Sequence, residues 1–179
     1  DKYIWELAVQ KLSEWQKLGK NELYISVNIS AKDFYYMDVY KTITTLVEKY
    51  GIIPKTLKLE ITETAIMTGI SGELEILEQF RNYGFQVEID DFGSGYSSLN
   101  TLKDMDVDVL KIDMGFLRTT KPDRIQRSMS ILNNIIDLSK TLGLSVITEG
   151  VETKEQVTAL TKMGCRIYQG YYFSKPIPI

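Results

Sequence analysis

Histidine is absent from this chain and cysteine occurs once. Without histidine there is no Ser-His or Cys-His catalytic pair and no imidazole ligand for a metal. One cysteine, Cys165, can form neither an internal disulfide nor a thiolate cluster, and a reducing, cytoplasmic setting is the simplest expectation. A strong charge of either sign is also missing. Lys+Arg number 21 and Asp+Glu 24, a net charge of -3, which argues against a broad phosphate-binding face for a nucleic acid polymer. No apolar run approaches the roughly 18 residues of a membrane span, so no membrane contact is expected of this domain. The chain opens Asp1-Lys2-Tyr3 straight into a helical pattern, with no visible leader and no initiator Met, as expected of a piece of something longer. Only four prolines occur, and no low-complexity segment or linker divides the 179 residues, so one domain over 1–179 is expected.

What the chain does have is a regular alternation of helix and strand patterns. Ile4, Trp5, Ala8, Leu12 and Trp15 have helical spacing before Gly19, and Leu23–Val27 then reads as a strand. Val39, Ile43, Leu46, Val47 and Tyr50 stop at Gly51, followed by the strand Leu57–Ile61. Leu74, Leu77, Phe80 and Tyr83 stop at Gly84, followed by Phe85–Ile89. A short helix around Leu99–Leu102 precedes the strand Val109–Ile112. The longest helical pattern, Ile125 to Leu142, stops at Gly143 before Leu144–Ile147. Val157, Leu160 and Met163 stop at Gly164, and Arg166–Tyr168 opens the last strand. Five helices thus end in glycine, the residue best suited to a left-handed C-terminal cap. Strict alternation favours six parallel strands joined by right-handed crossovers, an α/β fold. A barrel and an open doubly wound sheet both satisfy that pattern.

Each strand carries a polar residue near its C-terminal end: Asn28, Glu60, Asp90 with Asp91, Lys111, Glu149 and Gln169. One strand-helix unit separates each from the next, so they are expected to converge on one face, where a parallel barrel builds its active site. A single such residue reads as a solvated loop side chain; six in phase do not. Carboxylates and an amide oxygen are hard ligands suited to Mg²⁺, Mn²⁺ or Ca²⁺. A shared carboxylate between two ions roughly 3.5–4 Å apart is a common plan for phosphodiester hydrolysis. Asp90 and Asp91 point to opposite sides of an extended strand, so both can serve one site only if the backbone turns. The stretch Phe92-Gly93-Ser94-Gly95 is expected to supply that turn. Lys111, lying among acids, is expected to stay protonated, and it can orient a water, neutralise a phosphate oxygen or make a structural salt bridge. The glycine-rich stretch lacks nucleotide-loop spacing and reads as a mobile loop. Tyr96 and Ser97-Ser98 are expected to start the next helix, with a hydroxyl as its cap.

Placed in order, these segments resemble the EAL-domain family of cyclic di-GMP-specific phosphodiesterases. The motifs are Ser26-Val27-Asn28-Ile29-Ser30, Leu59-Glu60-Ile61-Thr62-Glu63, Asp90-Asp91-Phe92-Gly93-Ser94-Gly95-Tyr96-Ser97-Ser98-Leu99, Lys111-Ile112-Asp113, Glu149-Gly150-Val151-Glu152 and Gln169-Gly170-Tyr171. The resemblance implies a TIM-like barrel and hydrolysis of cyclic di-GMP to linear pGpG in bacterial second-messenger signalling. It implies Mg²⁺ or Mn²⁺ in a two-metal site, with Ca²⁺ inhibitory. By position, Asn28, Glu60 and Asp90 match metal ligands, Asp91 a ligand of the second ion and Glu149 a nearby acid of the metal cluster. Lys111 matches the lysine that assists the nucleophilic water, which makes Lys111, Glu149 and Asp91 the expected catalytic set. Glu63 matches the glutamate that steadies the loop after the strand ending at Asp90. Asp113, Glu152 and Gln169 match further substrate-binding or loop-stabilising positions, with Gln169 nearest the nucleotide. The resemblance also implies a homodimer and sensory or cyclase-like domains in the parent chain.

The Glu-Ala-Leu motif that names the family, whose glutamate the resemblance implies to be a metal ligand and which an arginine normally follows, is not in residues 1–179. A closed eight-strand barrel averages about 250 residues, so an incomplete barrel of about six strands is expected. It is read as N-terminally truncated, weakly active or inactive by itself, and in need of cover for its open edges. The alternative reading is a non-catalytic cyclic di-GMP-binding or dimerisation module. An enolase-type lyase shares strand-end acids and a lysine but leaves the Asp-Asp-Phe-Gly stretch unexplained. Elsewhere, Trp5 and Trp15 read as core packing, Tyr35-Tyr36 as a half-buried loop pair, and Cys165 as inert packing. Arg118, Lys121 and Arg124 read as a solvated helix start.

Overall fold

The computed structural model describes residues 1–67, 73–94, 102, 105–118 and 121–178, and the statements below concern these. Two compact units divide the chain, the first built mainly from Asp1–Ile89 and the second mainly from Asp108–Ile179 together with Asp90 and the residues after it.

In the first unit, helix α1 (Lys2–Lys17) buries Trp5, Ala8, Val9, Leu12 and Ser13. That spacing is one helical face, and the helix packs on α3 (Val39–Tyr50) and on strands β1 (Ile25–Ile29) and β2 (Leu57–Thr62). Glu6 of α1 meets the Lys49 ammonium at 2.7 Å and the Tyr50 hydroxyl at 2.8 Å, which hold its carboxyl below the usual carboxylate range. β1 and β2 pair in parallel, with Val27 opposite Leu59 and Asn28 opposite Glu60. Alternation then sorts the side chains. Val27, Ile29, Leu57, Leu59 and Ile61 are buried on one face, while Ser26, Asn28, Lys58 and Glu60 take the other.

Between β1 and α3 lies a short helix, α2 (Ala31–Tyr36), which the hydrophobic pattern does not reveal. Its start is chemically explicit. The Ser30 hydroxyl accepts from the Asp33 N–H, and Asp33 in turn accepts from the Ser30 N–H, a reciprocal cap. Tyr35 and Tyr36, expected as a half-buried loop pair, sit instead at the end of this helix and are exposed, packed edge to face on each other. α3 ends at Gly51, whose left-handed φ of 64° lets its N–H reach the Val47 carbonyl. A second short helix, α4 (Glu63–Met67), follows β2, and α5 (Glu73–Tyr83) leads to β3 (Gln86–Phe92).

Lys58 and Glu88 form an ion pair at 3.0 Å, with side chains 12% and 1% exposed. The Lys58 ammonium also lies 3.7 Å from the centre of the Tyr24 ring. Alternation puts Lys58 on the face of Glu60, and Glu88 on the face of Asp90. Breaking a buried pair strands a charge, so Glu88→Ala is expected to cost about 3 kcal/mol in a urea titration. Lys58→Met combined with Glu88→Leu is expected to recover most of that loss. A single-variant cost below about 1 kcal/mol would show that water already screens the pair.

The second unit holds β4 (Val109–Ile112), a single 3₁₀ turn (Met114–Phe116), α6 (Pro122–Thr141), β5 (Ser145–Thr148), α7 (Lys154–Met163) and β6 (Ile167–Tyr168). Its core is Ile112, Leu132, Ile136, Val151, Leu160 and Cys165. The single cysteine is buried beside the Thr148 hydroxyl, the packing role expected of it. Thr153 and Gln156 form a reciprocal cap at the start of α7, and Gly164, with φ of 91°, closes its end. β4 pairs with β5 and β5 with β6, both in parallel.

The six strands follow chain order in one sheet, β1-β2-β3-β4-β5-β6. β1 and β6 are its outer strands, so the described sheet is open rather than closed, as an incomplete barrel requires. Boundaries shift modestly from expectation: β1 begins at Ile25 rather than Leu23, and β3 continues through Phe92. The expected cap at Ser97-Ser98, and Tyr96 beside it, lie outside the described residues. Of the expected short helix around Leu99–Leu102, Leu102 alone is described; it is helical and buried.

Candidate active site

Strand β3 delivers Asp90 and Asp91 in succession, β4 delivers Lys111 at its third residue, and Glu149 follows the last residue of β5. The backbone fixes these ends to one another. The Glu149 N–H donates to the Ile112 carbonyl at 3.1 Å, and the Asp113 N–H donates to the Phe92 carbonyl at 3.2 Å. Asp90, Asp91 and Glu149 each offer one carboxylate oxygen, and the three oxygens lie within 4.8 Å of one another. The Lys111 ammonium bridges two of these residues, 2.8 Å from Asp90 Oδ1 and 3.0 Å from Glu149 Oε1. Lys111 is only 3% exposed, so its charge is held by the carboxylates rather than by water.

Two successive residues of an extended strand point to opposite sides, yet Asp90 and Asp91 share this cluster. The backbone change that permits it begins at Asp91 itself, whose φ is 54°, a left-handed conformation rare for a residue other than glycine, and continues into the expected glycine-rich stretch, where Gly93 has φ of 90°. The Ser94 N–H then donates to the Asp91 carbonyl at 3.0 Å, which closes the turn. Asp91 is a local conformational strain of the kind that active sites retain.

The other expected site residues divide into groups. Asn28 and Glu60 lie opposite each other at the C-terminal ends of β1 and β2 in the first unit. Asn28 is exposed, and its carbonyl accepts a hydrogen bond of 3.0 Å from the Trp5 indole N–H. Trp5 therefore does more than fill the core, a role that no spacing signal could show. Glu63 opens α4 and is buried, at 5% exposure. Asp113 turns its carboxylate onto the Gly115 N–H at 2.8 Å, inside its own turn. Glu152 and Gln169 line a cavity of about 420 Å³ in the second unit, together with Glu149, Met114, Arg118 and Tyr171. Arg118 reaches Glu152 at 3.6 Å and so belongs to this cavity wall as well as to the solvated stretch expected from sequence.

Three clustered carboxylates are a suitable donor set for a hard divalent cation, which prefers oxygen ligands. The lysine that bridges Asp90 and Glu149 shows that the cluster already draws a positive charge. Fold and site together define an α/β protein of the incomplete-barrel type, with its charged groups gathered at the carboxyl ends of the strands.

The chain belongs to the EAL domain family, whose profile matches residues 1–176. Cyclic di-GMP phosphodiesterase NbdA of Pseudomonas aeruginosa is 35% identical over 179 residues, covering 100% of this chain and 23% of that protein. The solved structure described as the PaMucR phosphodiesterase, c-di-GMP complex, is 34% identical with a TM-score of 0.89, covering 99% of this chain and 71% of that one. BlrP1 of Klebsiella pneumoniae, in a calcium and cyclic di-GMP complex, is 28% identical with a TM-score of 0.83, covering 96% of this chain and 43% of that one. Curated relatives in the family are cyclic di-GMP phosphodiesterases, so the family is one of phosphodiester hydrolases. The chain spans less than half the length of these curated relatives.

Proposed function

We propose that this chain contributes the metal-binding and catalytic face of a cyclic di-GMP phosphodiesterase that releases linear pGpG. The observation that carries the proposal is the cluster of Asp90, Asp91 and Glu149 carboxylates, with the Lys111 ammonium bridging Asp90 and Glu149. It is supported by family membership and by relatives whose names state this activity. Mg²⁺ or Mn²⁺ bound there supplies charge neutralisation at the phosphate and lowers the pKa of a bound water.

The ligand set is Asp90, Asp91 and Glu149, with Asn28 and Glu60 added on the strength of the family resemblance. A calcium ion takes the same oxygen donors with looser geometry, in keeping with an inhibitory role and with the calcium complex of BlrP1. Lys111, which reaches both Asp90 and Glu149, would hold the attacking water or a phosphate oxygen. Water adds to phosphorus, the bond from phosphorus to the ribose 3′ oxygen breaks, and that oxygen takes a proton. Glu152 and Gln169 in the cavity beside Glu149 are assigned to substrate. Glu63 and Asp113 are assigned to loop support; Asp113 does so through its own turn.

From the same resemblance, the domain over 1–179 is assigned to a homodimer, with sensory or cyclase-like neighbours in the parent chain, working in the cytoplasm. No described helix is long and apolar enough to cross a membrane. The deciding experiment is incubation of the protein expressed from its complete gene with cyclic di-GMP and Mn²⁺, with separation of linear pGpG by chromatography. Turnover that disappears with chelator is expected. Tight nucleotide binding without product would instead make the protein a sensor module, and neither binding nor product would overturn the proposal.

A further inference from the structure

The 3₁₀ turn Met114–Phe116 touches the two segments that carry the acidic cluster, one with each end. At one end, the Phe116 ring lies against Gly93. A Cβ placed on Gly93 would stand 2.5 Å from Phe116 Cε2 and 2.8 Å from Cζ, so only glycine admits the ring. Gly93 has φ of 90° and lies two residues after Asp91, whose own φ is 54°. At the other end, Met114 lies against Gly150, where a Cβ would overlap Met114 Cβ and stand 3.3 Å from its Cα. Gly150 directly follows Glu149.

The turn itself is fixed. Asp113 caps it through the Gly115 N–H, and the Asp113 N–H is tied to the Phe92 carbonyl. Phe116 and Leu117 pack on the core of the second unit. A rigid wedge thus stands between the residue after Glu149 and the turn after Asp91. Neither contact involves a charged group, so the wedge acts through shape alone. Asp91 gains from such support, because the left-handed region costs energy for any residue that carries a Cβ, aspartate less than most.

We propose that Phe116 is a positioning residue for the divalent-cation site: its ring on Gly93 holds Asp91 in the left-handed conformation that turns its carboxylate toward Asp90 and Glu149. This rests on the metal-site reading above and adds a support that lies outside the ligands. Partners that hold metal ligands in place typically change metal affinity by roughly 10–100-fold when removed.

The test is Mn²⁺ titration by calorimetry on the folded protein, beside thermal melting without metal. Phe116→Ala is expected to weaken Mn²⁺ binding by roughly tenfold or more, and Phe116→Leu by less. Leu160→Ala, a core truncation in the same unit away from the turn, is expected to lower the melting temperature while leaving Mn²⁺ affinity unchanged. Gly93→Ala is expected to weaken binding as well. Combined with Phe116→Ala its effect should be smaller than alone, because the ring it strikes is gone. If Phe116→Ala and Phe116→Leu bind Mn²⁺ as the unaltered protein does, the positioning role is overturned. If the unaltered protein binds no Mn²⁺, the metal-site reading itself fails, a separate outcome read on a different sample.

Discussion

Asp90→Asn is expected to abolish turnover of cyclic di-GMP. Asparagine keeps the size and one oxygen of the side chain but removes the charge that a divalent cation needs. Charge stabilisation by a bound cation is worth several kcal/mol in such reactions, so the rate should fall by at least about a hundredfold. The fold should survive, because Lys111 keeps its second partner, Glu149, at 3.0 Å. Product formation measured by chromatography, with circular dichroism as the control for folding, gives the answer. Near-normal rates in this variant would overturn the assignment of Asp90 as a ligand.

Lys111→Met should separate folding, metal binding and chemistry from one another. In the structure the Lys111 ammonium is the positive charge that balances Asp90 and Glu149. Replacing it with an apolar side chain of similar length leaves three buried or half-buried carboxylates facing one another. Breaking a buried pair of this kind costs about 3–5 kcal/mol, so the variant should melt at a clearly lower temperature in chelator. Mn²⁺ should then restore stability more strongly than it does in the unaltered protein, because the cation no longer competes with an internal amine. Hydrolysis should nevertheless stay at least about a hundredfold down, since the group that orients water or phosphate is gone. Melting curves with and without Mn²⁺ measure the first two effects. A variant that melts normally in chelator would show that Lys111 is not the balancing charge.

The parts of the fold that the sequence makes legible are those governed by local rules. Each long helix has a clear apolar face and a glycine near its end, and an apolar strand pattern follows, so the α/β order could be read directly. α2 and α4 escaped because five or six residues are too few for a helical period to show. The Ser30–Asp33 cap was the available signal for α2. The acids and the lysine were legible because strand ends repeat at one position in each strand-helix unit. The left-handed backbone at Asp91 was not, since Gly93 in the same stretch is the more obvious place for a turn. Nor could sequence show that Met114 and Phe116 rest against Gly150 and Gly93, which are contacts between segments distant along the chain.

The hydrogen bond from the Trp5 indole to the Asn28 carbonyl also gives the protein a natural optical probe. Indole emission responds to the loss of such a bond and to the water that replaces it. Trp5 is buried at 1% exposure, so its emission should start blue-shifted and move red when the end of β1 loosens. The only other tryptophan, Trp15, is carried by the same helix, and Trp15→Phe would leave Trp5 as a single reporter. Disturbance of the strand that presents Asn28 could then be followed in real time without attaching a dye.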